Sequence, residues 1–234
     1  MQREIYTDSL AAVPAFQELS PKTLEAMAHY AFIFHLEAGD TLRHQGEPAH
    51  TFYAIQKGAL RLLRCTPQGH EVTLKIYGPG DVFGLLAVSG DYSGGATVEA
   101  IHKTEVIALL GQDIRQLMYT HGDLGVLITD LLVAHVHHAH KRLGNMTALR
   151  VDERLAASLL ELAEKFGELC SSGIMIDVPL TQQDLAQFIG ATPETVSRTL
   201  KTWSQNGLLQ KERRHIILLK PASLLRIADG HSMT

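Results

Sequence analysis

The chain has 234 residues, of which 45% are hydrophobic and 20% are charged, and it carries a net charge of −4. These values are ordinary for one large or two small globular domains and argue against disorder. No apolar run reaches the roughly 18 residues of a membrane helix, and the first ten residues, with Glu4 and Asp8, lack the apolar segment of a secretory signal. We therefore expect a cytoplasmic protein without a membrane partner.

The first 120 residues predict a short helical region followed by β-structure. Residues 14–30 have helical spacing, and Ser20-Pro21 is a typical N-cap followed by proline at the first helical position. From Phe32 to Leu110, short apolar runs alternate with glycine-containing turns about every ten residues, which indicates an antiparallel sandwich or barrel. We assign residues 1–120 to a sensor domain of this kind.

Residues 121–148 predict a long helix with a coiled-coil seam. Apolar residues follow one another at intervals of three and four, which favours pairing with a second copy of the chain. The candidate dimer contacts are Leu124, Leu127, Leu131 and His138. The alternative interpretation is a helix that packs on its own barrel.

Residues 149–220 predict a winged helix-turn-helix, followed by a tail at 221–234. A helix over residues 151–166 ends at Gly167, and a strand follows over residues 174–178. Thr181 and Asp184 suit a capping box, and Thr192 suits an N-cap with proline after it. The second helix buries one face and turns a polar face outward, and two short strands with basic residues between them form the wing.

The outward residues of the second helix suit base recognition. The second helix of a helix-turn-helix lies in the major groove with its N-terminal residues at the base edges. Arg198 can donate two hydrogen bonds to guanine, and Glu194 can accept one from cytosine. Between residues 179 and 220, six Lys or Arg residues stand against three acids, so this segment is basic although the chain is acidic. A winged helix used for protein contact is the alternative.

These residues resemble the CRP/FNR family of bacterial transcription regulators. The resemblance rests on Thr181-Gln182-Gln183-Asp184-Leu185-Ala186, Gly190, Glu194-Thr195-Val196-Ser197-Arg198 and, upstream, on Gly39-Asp40, Gly46-Glu47, Phe52-Tyr53, Gly58 and Gly80-Asp81-Val82-Phe83-Gly84. It implies an α+β fold with a cyclic-nucleotide-binding-like β-roll, a central dimerisation helix followed by a hinge at residues 148–151, and the winged helix-turn-helix. It also implies a homodimer that binds double-stranded DNA and contacts RNA polymerase, more typically as an activator.

The resemblance assigns roles to individual residues. Glu194, Ser197 and Arg198 match the base-reading trio of the FNR subgroup, which implies a two-fold symmetric site with TTGAT-like half-sites, and Thr195 stands beside them. The candidate phosphate contacts are Thr181, Gln182, Gln183, Thr192, Lys201, Arg213 and Arg214. Of these, Lys201 and the two wing arginines, Arg213 and Arg214, are assigned because they are basic and lie on the outward face or in the wing.

The effector is not identified by the sequence. Family members that bind cyclic AMP hold it with a Gly-Glu pair and an Arg-Ser pair, whereas Gly84-Leu85 and Gly94-Gly95 stand at those places. Losing the arginine removes the charge-assisted contact with phosphate, so cyclic AMP is not expected to bind in the usual way. Two cysteines are too few for an iron–sulfur cluster. The candidate pocket comprises Gly84, Leu85, Leu86, Gly94, Gly95 and His140.

Histidines leave a second interpretation open. His135, His137, His138 and His140 cluster on the central helix, and neutral imidazole binds haem iron and divalent metals. A haem- or metal-responsive regulator, with His138 or His140 as ligand, is therefore an alternative to solvated histidines without a ligand. Two other classes of protein remain as alternatives: a small-molecule-binding module without DNA function and a metal-dependent barrel enzyme. No nucleophile motif or phosphate-binding lysine loop supports an enzyme.

Overall fold

The computed structural model describes residues 2–69, 71–90, 94–178, 180–212 and 215–231. The chain divides into two compact units, and the division falls within one long helix. The first unit contains the residues up to Gln68 and Leu74–His138, and the second contains Gly69–Thr73 and the residues from Ala139 onwards.

The chain up to residue 118 is mainly β-structure preceded and followed by helices. Its helices are α1 (Gln2–Ala11), α2 (Pro21–Ala28) and α3 (Gly111–Met118), with short 3-10 turns at Pro14–Phe16 and Leu85–Ser89. Its strands are β1 (Phe32–Leu36), β2 (Thr41–Arg43), β3 (Thr51–Lys57), β4 (Leu60–Cys65), β5 (Glu71–Tyr77), β6 (Val82–Phe83), β7 (Thr97–Ala100) and β8 (Thr104–Leu110). The predicted β-region is thus confirmed, and the predicted helix before it is interrupted.

The eight strands form two four-stranded sheets, in the orders β1-β8-β3-β6 and β2-β7-β4-β5, which together make a β-roll. Successive side chains of a strand point to opposite faces. On β3, Phe52 therefore packs among the helices with Phe16 and Leu109, whereas Tyr53 packs inside the β-roll with Tyr77 and Phe83. The unit has two apolar clusters, one between sheet and helices and one between the sheets.

The predicted dimer seam lies on helix α4 (Gly122–Ala148), where its leucines pack against their own unit. Leu124 is fully buried in the cluster between sheet and helices, and Leu127 and Leu131 pack against the same cluster. These residues therefore face their own unit, as the alternative interpretation stated, because the amphipathic face covers the sheet side of the domain. His138 is exposed.

A different face of α4 is apolar and exposed. Val126, Val133, Val136 and Leu143 have 63%, 52%, 49% and 63% of their surface exposed. With Thr129 and His140, which are also exposed, they follow at intervals of three and four. At 3.6 residues per turn this spacing places them in one stripe, on the side of the helix opposite Leu124 and Leu131.

The second unit is built around α5 (Val151–Phe166). The other elements are β9 (Gly167–Cys170), β10 (Gly173–Ile176), α6 (Gln182–Ile189), α7 (Pro193–Gln205), β11 (Leu209–Lys211), β12 (Ile216–Leu218) and α8 (Pro221–Ala228). The four strands form one sheet in the order β11-β12-β10-β9. Helices α6 and α7, followed by the antiparallel pair β11 and β12, form the predicted winged helix-turn-helix.

Gly167 is the C-cap of α5, as predicted, and with φ −80° it also begins strand β9, which pairs with β10. One detail of this unit differs from the sequence prediction. The predicted tail contains α8, whose Leu224 and Ile227 are buried. Within the described residues, no helix is long and apolar enough to cross a membrane.

Candidate nucleic-acid interface

Helix α6 begins with the predicted capping box. The Asp184 backbone N–H donates to Thr181 Oγ1 at 3.1 Å, and the Thr181 backbone N–H donates to Asp184 Oδ2 at 2.8 Å. The Thr181 hydroxyl also donates to Asp184 Oδ2 at 2.6 Å. Two backbone donors that a helix N-terminus leaves without partners are thereby satisfied, which fixes where the helix begins.

The turn between α6 and α7 depends on a glycine. Gly190 has φ +64° and ψ +50°, a left-handed conformation that side chains with a Cβ rarely adopt. Thr192 then caps α7, because its Oγ1 accepts from the Thr195 backbone N–H at 3.3 Å, and Pro193 occupies the first turn. These local signals fix where α6 ends and where α7 begins.

Two arginines, not predicted from the sequence, hold the end of α6. Arg154 Nε donates to Ile189 O at 2.9 Å, and Arg142 donates to Phe188 O at 2.7 Å. The Arg142 guanidinium also lies 4.5 Å from the centre of the Phe188 ring, and burial lowers its pKa. The last carbonyls of a helix lack partners within it, so both arginines act as caps for the helix-turn-helix. The separations of 35 and 46 residues give no local sequence signal.

Helix α7 presents the predicted reading face. Val196, Leu200 and Trp203 are buried, so this side packs inward. The opposite side forms an open cleft lined by Gln182, Pro193, Glu194, Ser197, Arg198 and Lys201. The structure therefore brings the predicted trio together with two of the candidate phosphate contacts. The Glu194 and Arg198 side chains are exposed and have no hydrogen bond or ion pair within the part of the chain that the structure describes.

The other candidate contacts lie beside this cleft or outside the described residues. Thr195 does not line it; its hydroxyl and that of Thr192 lie 3.1 Å apart in the cap of α7. Thr181 and Gln183 line a separate cavity of about 540 Å³. Arg213 and Arg214 lie outside the described residues.

The candidate effector residues fall into both units. Gly84 has φ +81°, and a Cβ there would lie 2.3 Å from Thr51 O, so the close approach of β3 requires glycine. Leu85 packs in the cluster between sheet and helices, and Leu86 is 44% exposed. Gly94 and Gly95 belong to the first unit, whereas His140 is exposed on the part of α4 that belongs to the second.

The α4 histidines do not assemble a metal site within one copy. Among the described residues, no group of three or more His, Cys, Asp or Glu side chains could hold a metal ion. Burial lowers the pKa of His135, and the charges of Lys75 and His138 lower it further. Both metal candidates, His138 and His140, are exposed.

Comparisons with known proteins agree with this architecture. Residues 33–121 match the family model of a cyclic nucleotide-binding domain, and residues 153–227 match that of a Crp-like helix-turn-helix domain. The CRP-like cAMP-activated global transcriptional regulator of Mycobacterium tuberculosis is 25% identical over 94% of this chain and 98% of its own length. The global nitrogen regulator of Nostoc sp. is 28% identical over 81% of this chain and 86% of its own.

A solved structure has the same fold. FixK2 from Bradyrhizobium japonicum matches with a TM-score of 0.76 at 24% identity, over 87% of this chain and 98% of its own. The two family models cover both the β-roll and the helix-turn-helix described above. The chain therefore belongs to the CRP/FNR family of transcription regulators, which are not enzymes.

Proposed function

We propose that this regulator binds two-fold symmetric DNA with TTGAT-like half-sites as a homodimer and activates transcription through contact with RNA polymerase. The observation that carries the DNA proposal is the shared cleft of Glu194, Ser197 and Arg198 on one exposed face of α7. The polymerase contact and the activating role follow from family membership.

The chemistry of the trio fits one G·C pair within each half-site. Arg198 would donate two hydrogen bonds to guanine O6 and N7, and Glu194 would accept from cytosine N4. A carboxylate that faces DNA is repelled by the phosphates, and a hydrogen bond accepted from a base offsets that repulsion. The exposed Glu194 therefore favours base recognition over plain electrostatic attachment.

Phosphate contacts would surround this reading face. Gln182, in the first turn of α6, and Lys201, one turn beyond Arg198, line the same cleft. Thr181, Gln183 and Thr192 lie at or beside the N-termini of the two helices, where backbone N–H groups favour anions. Arg213 and Arg214 would add two cations from the wing.

The exposed stripe of α4 supports the homodimer. Val126, Val133, Val136 and Leu143 leave an apolar seam open to solvent at coiled-coil spacing. A second copy of α4 would cover it, and the resulting two-fold axis matches a palindromic operator. This stripe replaces the seam first predicted at Leu124, Leu127 and Leu131.

A band-shift titration tests the proposal. The purified chain is titrated onto a duplex with two TTGAT half-sites in inverted order, and onto a duplex in which the G·C pair of each half-site is changed to A·T. We expect at least a tenfold preference for the first duplex, because each wrong base pair typically costs about 1–3 kcal/mol. Equal affinity for both would contradict the assigned trio.

A further inference from the structure

The last turns of α4 belong to the unit that carries the helix-turn-helix. The second unit begins within this helix, at Ala139, and it also contains the segment Gly69–Thr73 at the start of β5. Arg142 and Met146 stand four positions apart on this part of α4 and therefore share one face. The exposed stripe of the same helix, which is proposed to pair with a second copy, extends to Leu143. The proposed dimer stripe and this second face thus occupy the same turns of α4.

Arg142 joins three segments of the second unit through one guanidinium. Its Nη2 donates to Phe188 O at 2.7 Å and to Thr73 O at 2.8 Å. The guanidinium also lies 4.5 Å from the centre of the Phe188 ring. Phe188 is the last residue but one of α6, and Thr73 is buried at the start of β5. Helix α4 is therefore attached directly to the end of α6.

Two further contacts lie at the same end of α6. The Thr73 hydroxyl donates to Gln187 Oε1 at 3.2 Å, which adds a side-chain bond to the backbone bonds of Arg142. A Cβ on Gly190 would lie 3.1 Å from Met146 Cε, so Met146 of α4 lies beside the turn that leads into α7. The turn between the two helices is thus held from α4 as well as from within the helix-turn-helix.

Arg154 provides a contrast, because it caps the same end of α6 from a different helix. Its Nε donates to Ile189 O at 2.9 Å, and its Nη1 donates to Leu149 O at 2.7 Å. Arg154 stands on α5, so its bonds join α6 to α5 and to the segment that precedes α5. Of these two arginines, Arg142 is the one that stands on the helix proposed to carry the two-fold axis.

We propose that Arg142 is a positioning residue that sets the distance between the two reading helices of the dimer. This inference rests on the proposed homodimer and its palindromic site. A two-fold dimer accepts one spacing of half-sites because each reading helix is held at a fixed place relative to the axis. Helix α4 carries the axis, Arg142 holds α6 to α4, and α7 follows α6 after the turn at Gly190. Loss of the guanidinium removes this hold, so α7 can settle at more than one distance from the axis.

The test measures band-shift affinities for inverted TTGAT repeats whose half-sites have the best spacing or a spacing changed by one or two base pairs. Wild type should prefer its best spacing by roughly tenfold or more, because a misplaced helix loses the contacts of one half-site. Arg142→Met retains the apolar stem without donors and should reduce this preference to about threefold or less. Arg142→Lys should be intermediate, since an ammonium is a point charge without the planar fork of a guanidinium.

Arg154→Met is the matched control, since it removes the other cap of the same helix end. It should unfold at a lower temperature than wild type but should keep the wild-type preference for one spacing. A duplex with a single half-site measures the reading helix alone, and Arg142→Met should bind it within about twofold of wild type because the face of α7 is unchanged. Sedimentation velocity should show that Arg142→Met is still a dimer.

Three results would overturn the proposal. Arg142→Met may not keep the wild-type spacing preference, and it may not lose affinity equally at every spacing and on the single half-site, which would make Arg142 a stabilising residue only. Loss of spacing preference in Arg154→Met to the same degree would show that any cap of α6 has this effect. Failure of wild type to bind inverted repeats at any spacing would contradict the proposed DNA function itself, and this inference with it.

Discussion

Gln182, in the first turn of α6, and Arg198, in the middle of α7, line the same open cleft although they belong to different helices. The capping box at Thr181 and the left-handed turn at Gly190 fix where α6 begins and ends. The cleft therefore combines a candidate phosphate contact at a helix N-terminus with a candidate base contact, which is the arrangement that a helix-turn-helix needs on DNA.

The first prediction concerns Arg198. Arg198→Ala should weaken binding to the TTGAT palindrome by roughly 1–3 kcal/mol and should relax discrimination at the G·C pair, since the bidentate contact is lost. The measurement is competition binding between duplexes that differ only at that pair. Arg226→Ala is the matched control, because Arg226 is exposed on α8 and does not line the cleft. A uniform loss on all sequences would show that Arg198 contacts phosphate only.

The second prediction separates the two apolar faces of α4. Val133→Glu places a charge in the exposed stripe and should give folded monomers that bind the palindrome at least tenfold more weakly. Leu131→Glu places the same charge against the cluster of its own unit and should instead lower the Tm of the chain. Sedimentation velocity and thermal unfolding of both variants distinguish these outcomes. A dimeric Val133→Glu would place the interface elsewhere.

The third prediction concerns acid stability of the first unit. The Ser20 backbone N–H donates to Asp123 Oδ2 at 2.9 Å and, with the Thr23 hydroxyl, lowers the pKa of the Asp123 carboxyl to about 2. Because the folded pKa lies below the ordinary value, this carboxylate stabilises the fold above about pH 4, and the contribution disappears as the pH falls towards 2. After allowance for solvent screening we expect roughly 1 kcal/mol.

Urea unfolding of Asp123→Asn from about pH 6 to about pH 2 checks this. The variant should be less stable than wild type near neutral pH, and the two should converge at the acid end. Asp130→Asn, an exposed position on the same helix, should behave as wild type throughout. A difference between wild type and Asp123→Asn that stayed constant with pH would assign the loss to packing instead of charge.

The fourth prediction concerns cyclic AMP. Leu85 packs among apolar residues where a ribose-binding acid would be needed, so the nucleotide lacks an acceptor for its hydroxyl groups. A ligand changes DNA affinity only through differential binding to two states. Micromolar cyclic AMP should therefore change operator affinity less than twofold. The Mycobacterium tuberculosis relative, whose name states activation by cAMP, is the positive control; a comparable response here would refute the interpretation of Leu85.

The sequence predicted best what local chemistry determines. Caps at Thr181 and Thr192 and the glycine turn at Gly190 lie within a few residues of the groups they satisfy, so α6, α7 and their outward face followed directly. The structure buries Leu124 in its own unit, and Leu127 and Leu131 pack against the same cluster. Helix α4 carries two apolar stripes, and periodicity alone does not tell which one covers the sheet. Arg142 and Arg154 were missed because their contacts join residues 35 or more positions apart.

The central claim is sequence-specific binding by a symmetric dimer. The most direct test is repeated selection of bound duplexes from random DNA by the wild-type chain, followed by sequencing. We predict inverted repeats of a TTGAT-like half-site with a G·C pair at one fixed position, and centres about one helical turn apart. Recovery of asymmetric sites, of half-sites without that G·C pair, or of no enriched sequence at all would contradict it.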